Sequence, residues 1–401
     1  MTIGGFGGLL HPSVMDESSI WRSSSEMTAL ILAAGTFCIL ASAAHCTSLF
    51  TVMARVRRQR TSAPQAEVGV SILRPLCGIE NFSEATLRST FHLDHRRYEI
   101  LFCVASGADP IVPIAQRLIA AHPEIPARLL VGADRISSNP KLNNLVKGCC
   151  AASYPWIVMA DSNVLMPADY LRRLLQTWQS DTGVVSSPAI GCMPHNFWGE
   201  LECGFLNTYQ ARWQCFADEV GLGFVQGKNM LFNKAFLAAN GGMRALASEL
   251  AEDAAATKLA RRRGLRARVV DKPFVQPLGR RTAAEVWQRQ IRWARLRRDT
   301  FPLYFLPELL TGALPPLAAC IILADCVELP VAGIGTVFLA LWYGLEAVAT
   351  GVAGWHLSWR SPLVWALRDA VLPVLWIAAW AGKDFEWRGN SMTIADQRSL
   401  G

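Results

Sequence analysis

Apolar and polar positions divide the chain into two regimes. Between Glu67 and about Pro277, apolar runs of strand length alternate with stretches of helical period. The rest of the apolar weight lies in long, charge-poor segments near both ends. Runs at 68–73, 98–104, 127–131 and 156–160 read as strands, and Arg74-Pro75 is expected to stop the first. Between them, 83–91, 111–121 and 142–151 read as helices, the first capped by Ser83 with Glu84 in its first turn. A helix from Pro167 to Trp178, a strand at 183–187, an aromatic helix at 195–218, a segment 224–231, a helix to Ala239, a helix at 248–263 and a strand at 266–270 complete the region. Strands alternating with helices of this length predict an α/β, Rossmann-like domain over residues 67–280, its largely parallel sheet covered on both faces.

The flanking segments predict a membrane. Residues 1–26 are Gly- and Ser-rich without periodicity and are expected to be disordered. Residues 27–53 carry no Asp, Glu, Lys or Arg and exceed the ~20 residues that cross a bilayer. They lack the short apolar core and cleavage site of a signal peptide, so an uncleaved anchor is expected. Arg55, Arg57, Arg58 and Arg60 follow at once, which puts the N-terminus outside and the 67–280 domain in the cytoplasm. Residues 282–299 set Trp287, Ile291 and Leu296 among arginines, the pattern of an amphipathic interface helix. Apolar stretches at 303–324, 332–354 and 363–381 make 303–382 a set of C-terminal membrane segments, and 383–401 a tail. Prolines 302, 307, 315 and 316 allow broken or re-entrant helices, and Arg360, Arg368 and Asp369 give the last segment a polar entrance.

Composition sharpens this picture at two points. The net charge of +7 is concentrated in arginine clusters, two of which adjoin apolar segments. That placement fits anionic lipid headgroups, and no nucleic-acid motif accompanies it. The 11 cysteines include no C-x-x-C pair, and Cys103, Cys149 and Cys150 read as small buried hydrophobes in a reducing compartment.

Chemistry concentrates in five places, each with a bland reading beside the functional one. Asp161 ends the 156–160 strand, at the sheet edge where ligands bind in open α/β folds. It could hold Mg²⁺ or Mn²⁺ against a diphosphate, or cap a turn. Asp109, in Ser106-Gly107-Ala108-Asp109-Pro110, could meet a base or ribose, or cap the helix that Pro110 begins. Glu252-Asp253 lies in an Ala-rich helix, either a general base or a solvated face. Arg289-x-x-Arg292-Trp293 offers two guanidinium forks and an indole for phosphate and sugar, or a lipid-facing stripe. Lys141, in Asn139-Pro140-Lys141-Leu142-Asn143-Asn144, opens a helix where anions are favoured.

Taken in order, these motifs resemble the ceramide glucosyltransferase family (glycosyltransferase family 21), including its bacterial lipid glucosyltransferase branch. The resemblance runs continuously over residues 67–310 and implies a GT-A fold. It implies that Asp109 contacts uridine, that Asp161 takes the metal-diphosphate, and that Asp253 is the catalytic base. Lys141, Arg289, Arg292 and Trp293 would then line the nucleotide-sugar site, on the diphosphate and acceptor side. Position 163 departs from the pattern, carrying Asn where many GT-A enzymes have a second Asp. The implied activity is inverting transfer of glucose from UDP-glucose to the primary hydroxyl of ceramide, giving glucosylceramide. Diacylglycerol or a hopanoid alcohol is the alternative acceptor, a processive polysaccharide synthase the alternative enzyme, and a basic lipid-binding scaffold the non-enzymatic alternative. The implied setting is a multi-pass protein of a bacterial inner membrane.

Overall fold

The computed structural model describes residues 17–58, 68–382, 384–387 and 390–393. Of the expected disordered N-terminus and tail, 1–16 and 394–401 lie outside the described residues. Helix α1 runs Glu17–Arg57, starting upstream of the apolar stretch, so 17–26 are helical and not disordered. The segment contains no proline and one glycine, so nothing in its sequence interrupts the helix once it has begun.

The central domain follows the expected alternation. Strand β1 (Val70–Leu76) is followed by helix α2 (Ser83–Arg88), β2 (Tyr98–Val104), α3 (Val112–Ala121), β3 (Ala127–Val131), α4 (Pro140–Ala151), β4 (Trp156–Ala160), α5 (Tyr170–Thr177) and β5 (Thr182–Ser186). β1 includes Arg74 and Pro75, which the sequence pattern places at its end. The β4 ladder reaches only Leu73, so beyond it β1 pairs with β2 alone, and a residue without an N–H is tolerated there. Next come β6 (Ala189–Pro194), α6 (Phe197–Gly204), a π-turn Phe205–Ala211, α7 (Arg212–Glu219), β7 (Asn229–Asn233), α8 (Lys234–Ala239), α9 (Gly242–Ala245), α10 (Glu252–Arg262), β8 (Arg266–Val269) and β9 (Phe274–Gly279). The main sheet has seven strands in the order β3-β2-β1-β4-β7-β5-β8, with only β7 antiparallel to its neighbours. β6 and β9 pair separately as a parallel ribbon that the periodicity did not reveal.

Successive residues along each strand feed opposite faces. Ile72, Ile100 and Phe102 pack with Val112 and Leu118 of α3 and Leu171 and Leu174 of α5. Their neighbours Leu73 and Leu101 pack with Leu142 and Leu145 of α4 and Ala256 and Ala260 of α10. The chain runs β1-β2-β3 in one direction and returns to place β4 on the other side of β1. The crevice at the carboxyl ends of β1 and β4 is therefore a topological switch point, the favoured ligand position of such sheets.

Helix α11 (Ala283–Thr300) begins with a full capping box between Thr282 and Glu285. It buries Val286, Ile291 and Ala294 against Leu201 and Phe205, Trp365 and Leu372, and thus lies inside the protein between the α/β domain and the C-terminal helices. Its arginines are also engaged: Arg297 is paired with Glu308, and Arg298 donates to the carbonyl of Gly382. One face of α11 is thus packed within the protein, while Trp287 and Gln288 on another face stay exposed.

Helix α12 (Pro302–Phe305), a 3-10 turn (Leu306–Leu310) and α13 (Leu314–Cys326) form a bent unit with a 44° break, as the prolines suggested. α14 (Val331–Ala353) and α15 (Ser361–Ala381) follow, and β10 (Asp384–Trp387) pairs antiparallel with β11 (Asn390–Thr393). By length and composition three described helices can cross a bilayer, α1 from Glu26, α14 and α15, and the bent unit would be a fourth. Arg368 and Asp369 do not form a polar entrance. They are buried in α15, where Arg368 is paired with Asp369 and with Glu346 of α14, which also meets Arg212 of α7. Charges in such helices persist only when they are paired and face the bundle interior. All 11 cysteines are free; Cys103 is buried as expected, whereas Cys150 is exposed.

Candidate active site

One cavity of about 1280 Å³ gathers Asp109, Lys141, Asp161, Glu252, Asp253, Arg289, Arg292 and Trp293. That volume exceeds the ~300–1,000 Å³ of a typical small-molecule site, leaving room for a second substrate. Its lining also includes apolar residues, Phe37, Leu40 and Ala41 of α1 together with Phe301, Tyr304 and Leu310.

Asp161 is positioned through its backbone. Its N–H donates to the Lys228 carbonyl at 3.0 Å. Its own carbonyl, with those of Ser162 and Val164, accepts from the Arg74 guanidinium at 2.9–3.1 Å. Arg74 is fully buried and also donates to Thr86 O and Thr90 Oγ1, so one side chain from β1 locks the whole β4 tip. The sequence pattern marks Arg74 only as a strand terminator. An arginine inside an otherwise apolar strand was the available signal.

The Asp161 carboxylate lies between two ammonium groups. Lys141 Nζ is 2.7 Å from Oδ1 and Lys228 Nζ is 3.0 Å from Oδ2. Burial by itself would raise this carboxyl, but the two lysines overcome it and hold Asp161 well below the usual carboxylate range. Lys141 also pairs with Glu252 Oε1 at 2.6 Å and donates to Gly227 O at 2.6 Å. Burial would lower its ammonium, yet Asp161 and Glu252 push it above the ordinary lysine range. Lys141 occupies the first turn of α4, and Asn139 caps that helix by accepting from the N–H groups of Lys141 and Leu142. The Asn139 Nδ2 atom meanwhile donates to Glu252 Oε2 at 2.7 Å, which ties α4 to α10.

Asp253 accepts from Gly227 N at 2.8 Å and from its successor's N–H, Ala254 N, at 2.7 Å. Burial, and then the neighbouring Glu252, push its carboxyl up to about 6, against the pull of Lys141 and the two N–H donors. A carboxylate poised near neutrality suits proton abstraction. Gly227 is required for this approach, because a Cβ there would lie 2.8 Å from Glu252 Oε1 and 3.3 Å from both Asp253 Oδ2 and Lys141 Nζ.

Asp109 lines the cavity while anchoring its rim. Both of its oxygens accept from Gly78 N at 3.0 Å, and Oδ1 accepts from Ile111 N at 3.0 Å. Helix α3 starts at Val112 with Ile111 as its N-cap and no side-chain cap, so Asp109 does not cap a helix begun by Pro110; its carboxylate instead closes the turn before α3 and fixes the loop after β1. Arg289 is paired with Glu202 of α6, which also holds Arg281 at 2.9 Å. Sequence reasoning missed Glu202 and Lys228. Glu202 was legible as a charge in an aromatic helix, and Lys228 as part of a Gly-Lys pair leading into an apolar strand.

Residue 163 decides how well the site fits a divalent metal. Asn163 Oδ1 accepts from Lys228 Nζ at 3.1 Å, and its Nδ2 donates to Glu80 Oε2 at 3.0 Å. Asp161 thus has no second carboxylate beside it, and each of its oxygens already faces an ammonium. Among the described residues no group of three or more His, Cys, Asp and Glu could hold a metal. A dication at Asp161 would sit against two lysine charges, so these residues do not make the metal cradle expected of that position.

Known proteins resemble this chain to different depths. Ceramide glucosyltransferase 3 of Caenorhabditis elegans is 26% identical over 82% of this chain and 73% of its own length. Ceramide glucosyltransferase of Komagataella phaffii is 39% identical over 31% of this chain and 25% of its own length. Among solved structures, the mannosyltransferase PcManGT of Pyrobaculum calidifontis, in complex with GDP-Man and Mn²⁺, is 18% identical and gives a TM-score of 0.49 over 87% of this chain and 98% of that one. A family model described as Glycosyl transferase family 21 matches residues 36–400, almost the whole chain. With that match spanning both the α/β domain and the flanking apolar helices, the chain belongs to glycosyl transferase family 21.

Proposed function

We propose that this protein transfers glucose from UDP-glucose to the primary hydroxyl of ceramide, with inversion at the anomeric carbon, at the cytoplasmic face of a bacterial inner membrane. The observation that carries the reading is one cavity whose lining combines a poised carboxylate, Asp253, with basic residues and with apolar residues of α1 and the bent unit. A water-soluble donor and a lipid acceptor need such a junction, since neither leaves its own phase without a large cost.

In this reading Asp253 removes the proton of the acceptor hydroxyl as its oxygen attacks the anomeric carbon. The bond from that carbon to the diphosphate oxygen breaks, and UDP departs with the electron pair. Lys228, Arg289 and Arg292 face the developing charge, a preorganised electrostatic contribution, and Lys141 holds Asp161 and Glu252 on that side of the site. Trp293 would cover the sugar, and Asp109 would meet the uridine side on the rim it holds with Gly78. The cytoplasmic orientation rests on Arg55, Arg57 and Arg58 directly after the apolar part of α1. Ceramide as acceptor is supported by the names of the curated relatives and by the Asn139-Pro140-Lys141 motif.

The test is to incubate membranes containing the protein with labelled UDP-glucose, UDP-galactose, UDP-GlcNAc and UDP-glucuronate, and to identify the extracted lipids by mass spectrometry. Labelled glucosylceramide from UDP-glucose is expected. Label entering diacylglycerol or a hopanoid instead would replace the acceptor, and no labelled lipid from any donor would overturn the reading.

A further inference from the structure

The lysines around Asp161 raise a question that the expected chemistry leaves open: what neutralises the departing diphosphate. Lys141 is fully committed, its ammonium meeting Asp161, Glu252 and the Gly227 carbonyl. Lys228 differs. Its described partners are Asp161 Oδ2 and Asn163 Oδ1, two acceptors for three N–H donors. The loop that carries it is held to the β4 tip by the Asp161 N–H at the Lys228 carbonyl, 3.0 Å. The side chain lines the cavity that Arg289 and Arg292 enter from α11. Burial lowers its ammonium in spite of Asp161, and the nearby Arg289 adds to that lowering.

This arrangement depends on residue 163 being Asn. An amide can accept from Lys228 through one atom while donating to Glu80 through the other, and Asn163 does both. An Asp in its place would add one carboxylate between Glu80 and the Lys228–Asp161 pair, the arrangement that recruits a dication. Magnesium holds its oxygen ligands at about 2.0–2.1 Å and needs near-octahedral space. The Lys228 ammonium occupies the open side of Asp161 instead.

We propose that Lys228, seated by Asp161 and Asn163, carries the positive charge against the sugar-nucleotide diphosphate in the place where a GT-A site would hold a divalent metal, with Lys141 fixing Asp161 from the other side. The inference rests on the glycosyl-transfer reading for its ligand, a nucleoside diphosphate.

The test measures calorimetric binding of UDP and of uridine to the detergent-purified full chain, in EDTA and in Mn²⁺, alongside the lipid transfer assay. UDP affinity in EDTA is expected within about 3-fold of that in Mn²⁺. Lys228→Met should weaken UDP by about 30-fold, the size of one charge-assisted contact, while uridine binding stays unchanged and the variant still unfolds cooperatively, at a lowered Tm; Lys228→Arg should recover most of the loss. The double variant Lys228→Met with Asn163→Asp should bind UDP only when Mn²⁺ is present. Loss of wild-type UDP binding in EDTA with recovery in Mn²⁺ would overturn the inference, as would a Lys228→Met variant that binds UDP like the wild type. Transfer that requires Mn²⁺ would sink the lysine inference and leave glycosyl transfer standing. Transfer absent under every condition would sink the functional reading, while the UDP-to-uridine comparison would still decide the role of Lys228.

Discussion

Replacing Asp253 with Asn removes the proposed base and little else. The side chain keeps its shape; the amide oxygen can still accept from Gly227 N, which the carboxylate holds at 2.8 Å, while the contact with the adjacent Ala254 N is given up. Substrate binding should therefore persist while proton removal is lost. General-base catalysis contributes about 10²–10⁴-fold, so kcat should fall by that factor, ~3–5.5 kcal/mol in the barrier, with KM for the donor changed little. The wild-type pH profile gives an independent reading of the same group. Burial and Glu252 raise Asp253 to about 6, and the ionised form is the active one, so kcat/KM should fall as pH drops through that value. At pH 5 only about a tenth of the sites would be ionised, which sets an expected loss of roughly 10-fold. The effect on stability has the opposite sign. The folded protein binds this proton more tightly than the unfolded chain, whose carboxyl lies near 3.8, so the group costs stability above about pH 6 and the cost is relieved as pH falls toward 4. Radiolabel transfer in detergent, scanned from pH 5 to 8, measures activity, and thermal unfolding under the same conditions checks the fold. An Asp253→Asn variant with more than a tenth of wild-type kcat, or a flat wild-type profile through pH 6, would refute the reasoning.

Three further outcomes follow from the contacts. Gly227→Ala brings a Cβ to 2.8 Å from Glu252 Oε1 and 3.3 Å from Asp253 Oδ2; kcat should fall about 10²-fold, the effect of misplacing a catalytic group by an ångström, and steady-state kinetics would show it. Arg74→Met strands the carbonyls of Thr86, Asp161, Ser162 and Val164 in the core; stability should drop by at least ~3 kcal/mol, read as a large fall in Tm. Asp109→Asn removes one of the two oxygens that hold Gly78 N; UDP affinity should weaken about 10-fold by calorimetry, with kcat nearly unchanged.

Much of the site was readable because its residues mark the ends of regular elements. Asp161 follows an apolar run, Asp109 lies in the turn between β2 and α3, and Lys141 opens a helix behind Asn139. Such positions are local, and strand and helix patterns locate them without tertiary information. Glu202 and Lys228 escaped because their partners lie far along the chain. Glu202 meets Arg289 and Arg281, and Lys228 meets Asp161. The polar entrance assigned to Arg368 and Asp369 failed for the same reason, since Glu346 and Arg212 come from other helices to bury them.

The amino-acid order by itself determined the α/β alternation, the membrane-length helices at both ends and the ordered acidic and basic motifs. Each of these is set by periodicity, by composition or by neighbours within a few residues. Only the tertiary structure decided that β7 enters the sheet antiparallel, that α11 buries Val286, Ile291 and Ala294 against the C-terminal helices, and that Asp161 is clasped by two lysines. Those outcomes depend on which distant surfaces meet. The charge balance at Asp161 in particular arises from α4, the β4 tip and the loop before β7 converging at one point.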